Sequence, residues 1–212
     1  MVKRKKVGKL KDKWKEKSWV MVETPPLFGS TIIASIPITD PDKAVGRVVE
    51  TTLYDIVKQD PQQYTIKLYF QIERIIDNKA ITIFKGYEYS RDYLRSLIRR
   101  GSSLVNYIND YITKDGVKVR VYTVFFTQSR INSSRKHALR MIAHKVLKEK
   151  VEKLNYDQFA QEAVLGKIAS DIYNEAKKIC NFRHVGIRKM KIIQKPTQMV
   201  EATSISAEVR SS

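Results

Sequence analysis

Cysteine is almost missing from this chain. Cys180 is the single one among 212 residues, so no intramolecular disulfide can form, and a reducing compartment suits the protein. Long apolar runs are missing too: none approaches the roughly 20 residues that a membrane-crossing helix requires. The first residues carry charge without the apolar stretch of a secretion signal, and their lysines are mixed with Asp12 and Glu16, against the pattern of a mitochondrial transit peptide. The expected location is therefore the cytoplasm. Neither end shows an amphipathic helix or lipidation signal that would hold the chain on a membrane. Acid is the scarcest resource relative to its counterpart: 22 Asp and Glu face 40 Lys and Arg, a net charge of +18, with a sequence pI near 9.9. No fold requires such an excess, and its self-repulsion mildly opposes compaction. It points to a polyanionic partner, and nucleic acid fits best.

What is present suffices for a folded protein. Hydrophobic residues make up 42% and the mean hydropathy is −0.38, values of a soluble globular chain. The length allows one sizeable core or two small ones, since a domain of roughly 150–200 residues buries about 70% of its unfolded surface.

The positive charge is uneven. Residues 1–17 hold nine basic residues against Asp12 and Glu16. Such a block is expected to stay disordered until a partner neutralises it. Trp14 and Trp19 close it; Trp19 is expected to anchor the first strand, and Trp14 to pack on the domain or stack on a base. A strand over Trp19–Thr24 ends at Pro25-Pro26, and residues 27–43, broken by Pro37 and Pro41, read as an edge element. Residues 45–57 read as β-rich, with Gly46 a possible bulge. Ile66, Leu68, Phe70 and Ile72 alternate along a strand over 64–76, and Asp77-Asn78-Lys79 turns the chain into a partner strand over 80–87.

Ser90, with Asp92 after it, marks the start of a short helix with Tyr93, Leu94, Leu97 and Ile98 as its buried stripe and Gly101 past its end. Asp115-Gly116 sits between two further strands, 104–113 and 117–127, a strong hairpin signal. The second half changes character. Ser133 or Ser134 caps a helix to about Leu154, with Leu139, Ile142, Ala143, Val146, Leu147, Val151 and Leu154 on one face. Another helix starts at Asp157 and resumes after Gly166, and residues 184–193 return to β. The polar residues from Thr197 on are expected to form a flexible tail.

Two internal segments concentrate cations. Residues 128–153 contain eight basic residues and two glutamates, and Arg130, Arg135, Lys136 and Arg140 lack acidic partners at helical spacing. They lie where a strand hands over to a helix, whose N-terminal N–H groups attract phosphate while arginines add bidentate contacts. The alternative is a solvated helix face. Farther on, Arg183, Arg188, Lys189, Lys191 and Lys195 are interleaved with Val185, Ile187, Met190 and Ile192, with no acid among them. This reads either as a strand with one buried and one phosphate-facing side, or as an edge strand protected by lysines.

Catalytic and metal signatures are thin. Zinc wants about four ligands, and neither the Cys180/His184 pair nor His137 and His144, two helical turns apart, supplies them. Asp42 followed by Asp77-Asn78-Lys79 superficially matches a metal-dependent nuclease pattern, but Asp77 serves equally as a turn residue. There is no Walker loop, dinucleotide fingerprint or nucleophile elbow. Neither an enzymatic activity nor a cofactor is expected.

An ordered set of short motifs carries a resemblance. Gly46-Arg47-Val48 comes first, then Gly86 with Ser90-Arg91-Asp92, and Lys114-Asp115-Gly116. Phe126-Thr127, Arg130, Arg135-Lys136, Gly166-Lys167-Ile168 and Asp171-Ile172 follow, ending with Ile187-Arg188-Lys189, Lys191 and Lys195-Pro196. In this order the chain resembles the small-subunit ribosomal protein family shared by archaea and eukaryotes, e-type S-one or S-three-Ae. The resemblance implies a non-enzymatic component of the subunit platform, near the mRNA exit and the 3′ end of the rRNA. Its implied partners are rRNA, neighbouring platform proteins and mRNA near the exit, with no membrane and no small-molecule substrate. The long charged C-terminal extension of eukaryotic members is not seen here, which implies an archaeal type.

The expected fold is α+β: a twisted antiparallel sheet or partly closed barrel with helices from the second half packed on it. A basic tail over 1–18, one globular RNA-binding domain over 19–196 and a polar tail over 197–212 complete the expectation. The candidate RNA contacts are Lys3, Arg4, Lys5, Lys6, Lys9, Arg130, Arg135, Lys136, Arg140, Arg188, Lys189 and Lys191. A free RNA-binding translation or processing factor is the nearest rival, and a metal-dependent nuclease the more distant one.

Overall fold

Alternating apolar residues build the strands of this α+β protein. The structure, a computed structural model, describes residues 14–194. Eight strands are found among them: β1 (Ser18–Glu23), β2 (Ile32–Ile38), β3 (Val48–Thr52), β4 (Ile66–Ile76), β5 (Lys79–Tyr89), β6 (Leu104–Ile112), β7 (Lys118–Thr127) and β8 (Phe182–Gln194). The helices are α1 (Leu53–Val57), α2 (Arg91–Leu97), α3 (Ser133–Lys153), α4 (Tyr156–Val164) and α5 (Lys167–Ala176). Hydrogen bonding runs in the order β2-β1-β5-β8-β7-β6, with β3 on β4 and β4 on β5, and the path does not close on itself. The sheet is mixed rather than purely antiparallel, because β1 pairs with β5 in parallel.

The chain divides into two compact units. Of the described residues, the first takes 14–49 together with 71–83. Its core is Val20, Val22, Ile38, Ala44, Ile72 and Ala80. The inward side chains of β1 are thus the valines, while Trp19 lies on the other face and is 58% exposed. Trp19 meets Trp14 edge-on, with ring centroids 6.3 Å apart, and the Lys17 ammonium sits 4.3 Å from the Trp14 ring centre. Pro37 falls in β2, an edge strand, where its missing N–H costs no ladder bond. Asp77 and Asn78, both with positive φ, make the β4–β5 turn.

Of the described residues, the second unit takes 50–70 and 84–194. Residues 53–57, expected as strand, are helical, because Thr52 and Asp55 form a reciprocal capping box. The helices supply a buried layer of Leu139, Ala143, Leu147, Phe159, Ile168 and Ile172. Against the sheet side, Val105, Val119, Val121 and Phe125 are buried. His144 of α3 shares hydrogen bonds through Nδ1 with the hydroxyls of Tyr107 (3.0 Å) and Tyr111 (3.2 Å) on β6. The Tyr87 hydroxyl donates to the Ala163 carbonyl (3.1 Å) and the Tyr156 hydroxyl to that of Phe84 (3.1 Å), which fastens α4 to β5.

Candidate nucleic-acid interface

The strand-to-helix junction after β7 is held rigid by its own polar side chains. Thr127 Oγ1 lies within donating distance of the Ser129 (2.7 Å) and Ser103 (3.0 Å) carbonyls, while Ser103 N donates to that same hydroxyl (2.8 Å). Ser103 Oγ accepts from Ile131 N (3.3 Å), and Gln128 N donates to the Asn181 carbonyl (3.1 Å). Ile131 is buried, so the segment is nailed down at its centre and Arg130 and Arg135 project on either side of the nail. The helix that follows starts after Asn132 and has no acidic residue in its first turn. Arg130, Arg135 and Lys136 make no ion pair among the described residues, and Arg140 spends one N–H on the Asn106 carbonyl (3.2 Å). Farther along α3 the charge is partly countered: Lys150 pairs with Asp171 (2.8 Å) and Glu162 (3.5 Å). Among the described residues of α3, the cations without an ion pair are thus Arg135, Lys136 and Arg140 near its start, with Lys145 and Lys153 farther along.

The second basic segment is β8, and it is no edge. It lies between β5 and β7, so protection of an open edge cannot account for its lysines. Val185, Ile187 and Met190 are buried, with the inward phase of the strand changing between Ile187 and Met190. A register shift opposite Tyr122/Thr123 leaves Arg188 as the unpaired extra residue, exposed. Lys189 faces Glu88 directly across the β5–β8 ladder and is hydrogen-bonded to it. Lys191 is exposed and lies opposite Arg120. The Arg120 guanidinium is itself bidentate on Asp110 (2.6 and 2.9 Å), which holds the Asp110 carboxyl below the usual carboxylate range.

Sequence reasoning passed over α2. Arg91 and Arg95 stand at i and i+4, exposed, with no ion pair among the described residues, and Arg188 joins them around a cavity of about 330 Å³. Ile98, expected in the buried stripe, is 54% exposed because α2 ends at Leu97, and it lines the same cavity with Leu104, Val124 and Phe126. The criterion that singled out Arg130 and Arg135 misses this pair, because Asp92 stands three residues before Arg95 at helical spacing, although the two form no ion pair among the described residues. Asn106 also lines this cavity, and its carbonyl receives Arg140, which ties the α2 cluster to the start of α3. Lys3, Arg4, Lys5, Lys6 and Lys9 lie outside the described residues.

The residues considered for metal or catalysis sit apart. His184 belongs to β8, its ring among Tyr89, Tyr93 and Phe126, so its spacing from Cys180 is not helical. Burial pushes the Cys180 thiol up, with Arg135 acting weakly the other way. Asp42 is in a short 3-10 turn and Asp77 in the β4–β5 turn. Among the described residues no three His, Cys, Asp or Glu side chains group as metal ligands.

Comparison with known proteins gives a consistent answer over nearly the whole length. A model of the ribosomal S3Ae family matches residues 5–196. The small ribosomal subunit protein eS1 of Staphylothermus marinus is 45% identical over 188 residues, 89% of this chain and 88% of that protein. The protein of the same name from Saccharolobus solfataricus is 43% identical, covering 95% of this chain and 98% of its own length. The one from Saccharolobus islandicus is 42% identical over the same shares.

Proposed function

Since the chain belongs to the ribosomal S3Ae family, we propose that it is a structural constituent of the archaeal-type small ribosomal subunit in the cytoplasm. It binds rRNA on the platform near the mRNA exit and the rRNA 3′ end, beside neighbouring platform proteins, and performs no reaction. The observation that carries the RNA reading is the set of arginines left without ion pairs on one unit: Arg91, Arg95, Arg130, Arg135 and Arg188. Surface cations not needed for the protein's own ion pairs are available for phosphates, and guanidinium forks take phosphate bidentately. Lys136, Arg140 and Lys191 extend the surface, with Lys3, Arg4, Lys5, Lys6 and Lys9 adding charge from the N-terminal segment. Lys189 contributes less, because Glu88 already counters it.

The experiment is sedimentation. Tagged protein in a lysate of its own cells is run through a sucrose gradient before and after a moderate-salt wash. The expected result is migration with small subunits in both runs. Recovery in the ribosome-free fractions would instead make it a free RNA-binding factor.

A further inference from the structure

Two cavities flank the same pair of side chains. Arg91 and Arg95 line the 330 Å³ cavity over Ile98, Leu104 and Phe126, and they also line a second one of about 420 Å³ with Tyr69, Tyr89, Glu88 and Lys67. Both volumes fall in the range that encloses small ligands, about 300–1,000 Å³. We propose that these cavities receive two consecutive unpaired nucleotides of RNA, with Arg91 and Arg95 holding the phosphate that joins them. The inference rests on the RNA-binding reading above and names the form of RNA that this surface takes.

The chemistry of the walls supports an unpaired strand. Residues at i and i+4 on a helix have Cβ atoms about 5–6 Å apart, so two guanidinium groups can converge on a single phosphate. Neither arginine is committed to an ion pair among the described residues. The larger cavity offers two half-buried aromatic rings, Tyr69 and Tyr89, for a base to lie against. It also offers an acceptor for an amino group: Glu88 bonds Lys189 through Oε2, which leaves its other oxygen. The smaller cavity has an apolar floor, with the Asn106 amide and the Arg188 guanidinium as polar groups. A cationic ridge with aromatic rings on one side and an apolar recess on the other suits a single strand, whose bases stack or pack while its phosphates meet cations. Bases in a duplex are stacked and paired and cannot enter recesses of this kind, whereas bases in loops and bulges can be splayed out. An acidic peptide is a poorer fit, since its carboxylates would meet those of Glu88 and Asp92 and gain nothing from the tyrosines.

The test uses the full chain and two RNA probes of equal length, about ten nucleotides, one single-stranded with a 2-aminopurine and one fully paired. Binding is followed by anisotropy and by 2-aminopurine emission. Arg91→Gln with Arg95→Gln should weaken single-strand binding about tenfold or more and duplex binding only two- to threefold. Arg99→Gln with Arg100→Gln, on exposed neighbours outside both cavities, should weaken both probes alike. The 2-aminopurine emission should be quenched by wild type and not by the Arg91/Arg95 variant. Equal losses from the two double variants, unquenched emission at saturation, or displacement of RNA by octaglutamate at matching concentration would each overturn the proposal and leave RNA binding intact. Failure of the wild type to bind either RNA would overturn both readings together.

Discussion

His184 concentrates more physical information than any other single side chain of β8. Its ring is ringed by Tyr89, Tyr93 and Phe126, and its Nε2 is buried with no hydrogen-bond partner among the described residues. A Cβ on Gly186 would come within 3.0 Å of that nitrogen and 3.3 Å of the Tyr89 ring, so the glycine keeps the space the imidazole occupies. None of the three rings carries a charge at neutral pH, and burial holds the His184 pKa below its usual value. The sign follows from linkage: the unfolded chain takes a proton at about pH 6.5, where folded His184 does not. Stability is therefore full above that pH and is lost as the pH falls toward the folded value. Urea midpoints should drop between pH 7 and 5.5, and His184→Leu should flatten that drop. An equal drop in both proteins would show that His184 is not its source. Single side chains were readable in the sequence only where their partners were close in the chain. Arg130 and Arg135 could be singled out by missing local acids, whereas the pairing of Lys189 with Glu88 spans 101 positions and left no local trace.

Among the elements, hydrophobic period and turn chemistry anticipated most of the strands, the three helices of the second half and the β6–β7 hairpin. The parallel β1–β5 pairing and the interior position of β8 could not be read this way, because period two marks a strand and is silent about its neighbours. Residues 53–57 misled for a different reason. Tyr54, Ile56 and Val57 favour β, but the Thr52/Asp55 box satisfies the first backbone N–H groups and tips a five-residue segment into helix. Asp115 shows a turn residue with a second task. The turn at Asp115-Gly116 puts its carboxylate 2.8 Å from Tyr156 N, where it accepts from the first residue of α4 in place of a local cap. The Asn155 side chain makes no such bond. Asp115→Ala should therefore cost about 1 kcal/mol, within a range of roughly 0.5–2, measured by urea denaturation. Asp115→Asn keeps an acceptor and also removes the like charge that helps raise the Asp157 pKa, so its loss should be smaller. Equal stability of Asp115→Ala and wild type would mean that water replaces the bond.

The excess of 18 positive charges belongs to the chain as a whole, and its partner must answer in kind. Part of it is spent internally, on Glu23, Glu50, Glu88, Asp110 and Asp171 among others. Much of the remainder lies at the start of α3, on α2 and β8, and in residues 1–13, which hold seven lysines and arginines against Asp12. Each phosphate neutralised by such a cation releases counterions and adds about −0.9 on duplex, or −0.7 on single strands, to the slope of log K against log salt. With about 6–10 contacts, raising salt from about 50 to 200 mM should weaken rRNA binding by roughly 10³–10⁵-fold. Trp14 and Lys17 are tied to the first unit through the Trp19 ring and the Lys17 N to Trp14 carbonyl bond, so a truncation that spares them isolates the basic segment. Deleting residues 1–13 should lower the salt slope by several of these increments and weaken binding, while leaving the melting temperature unchanged. Unchanged slope and affinity would reduce the segment to a solubilising tail. A nearly flat salt dependence in the intact protein would remove the electrostatic basis of the RNA reading altogether.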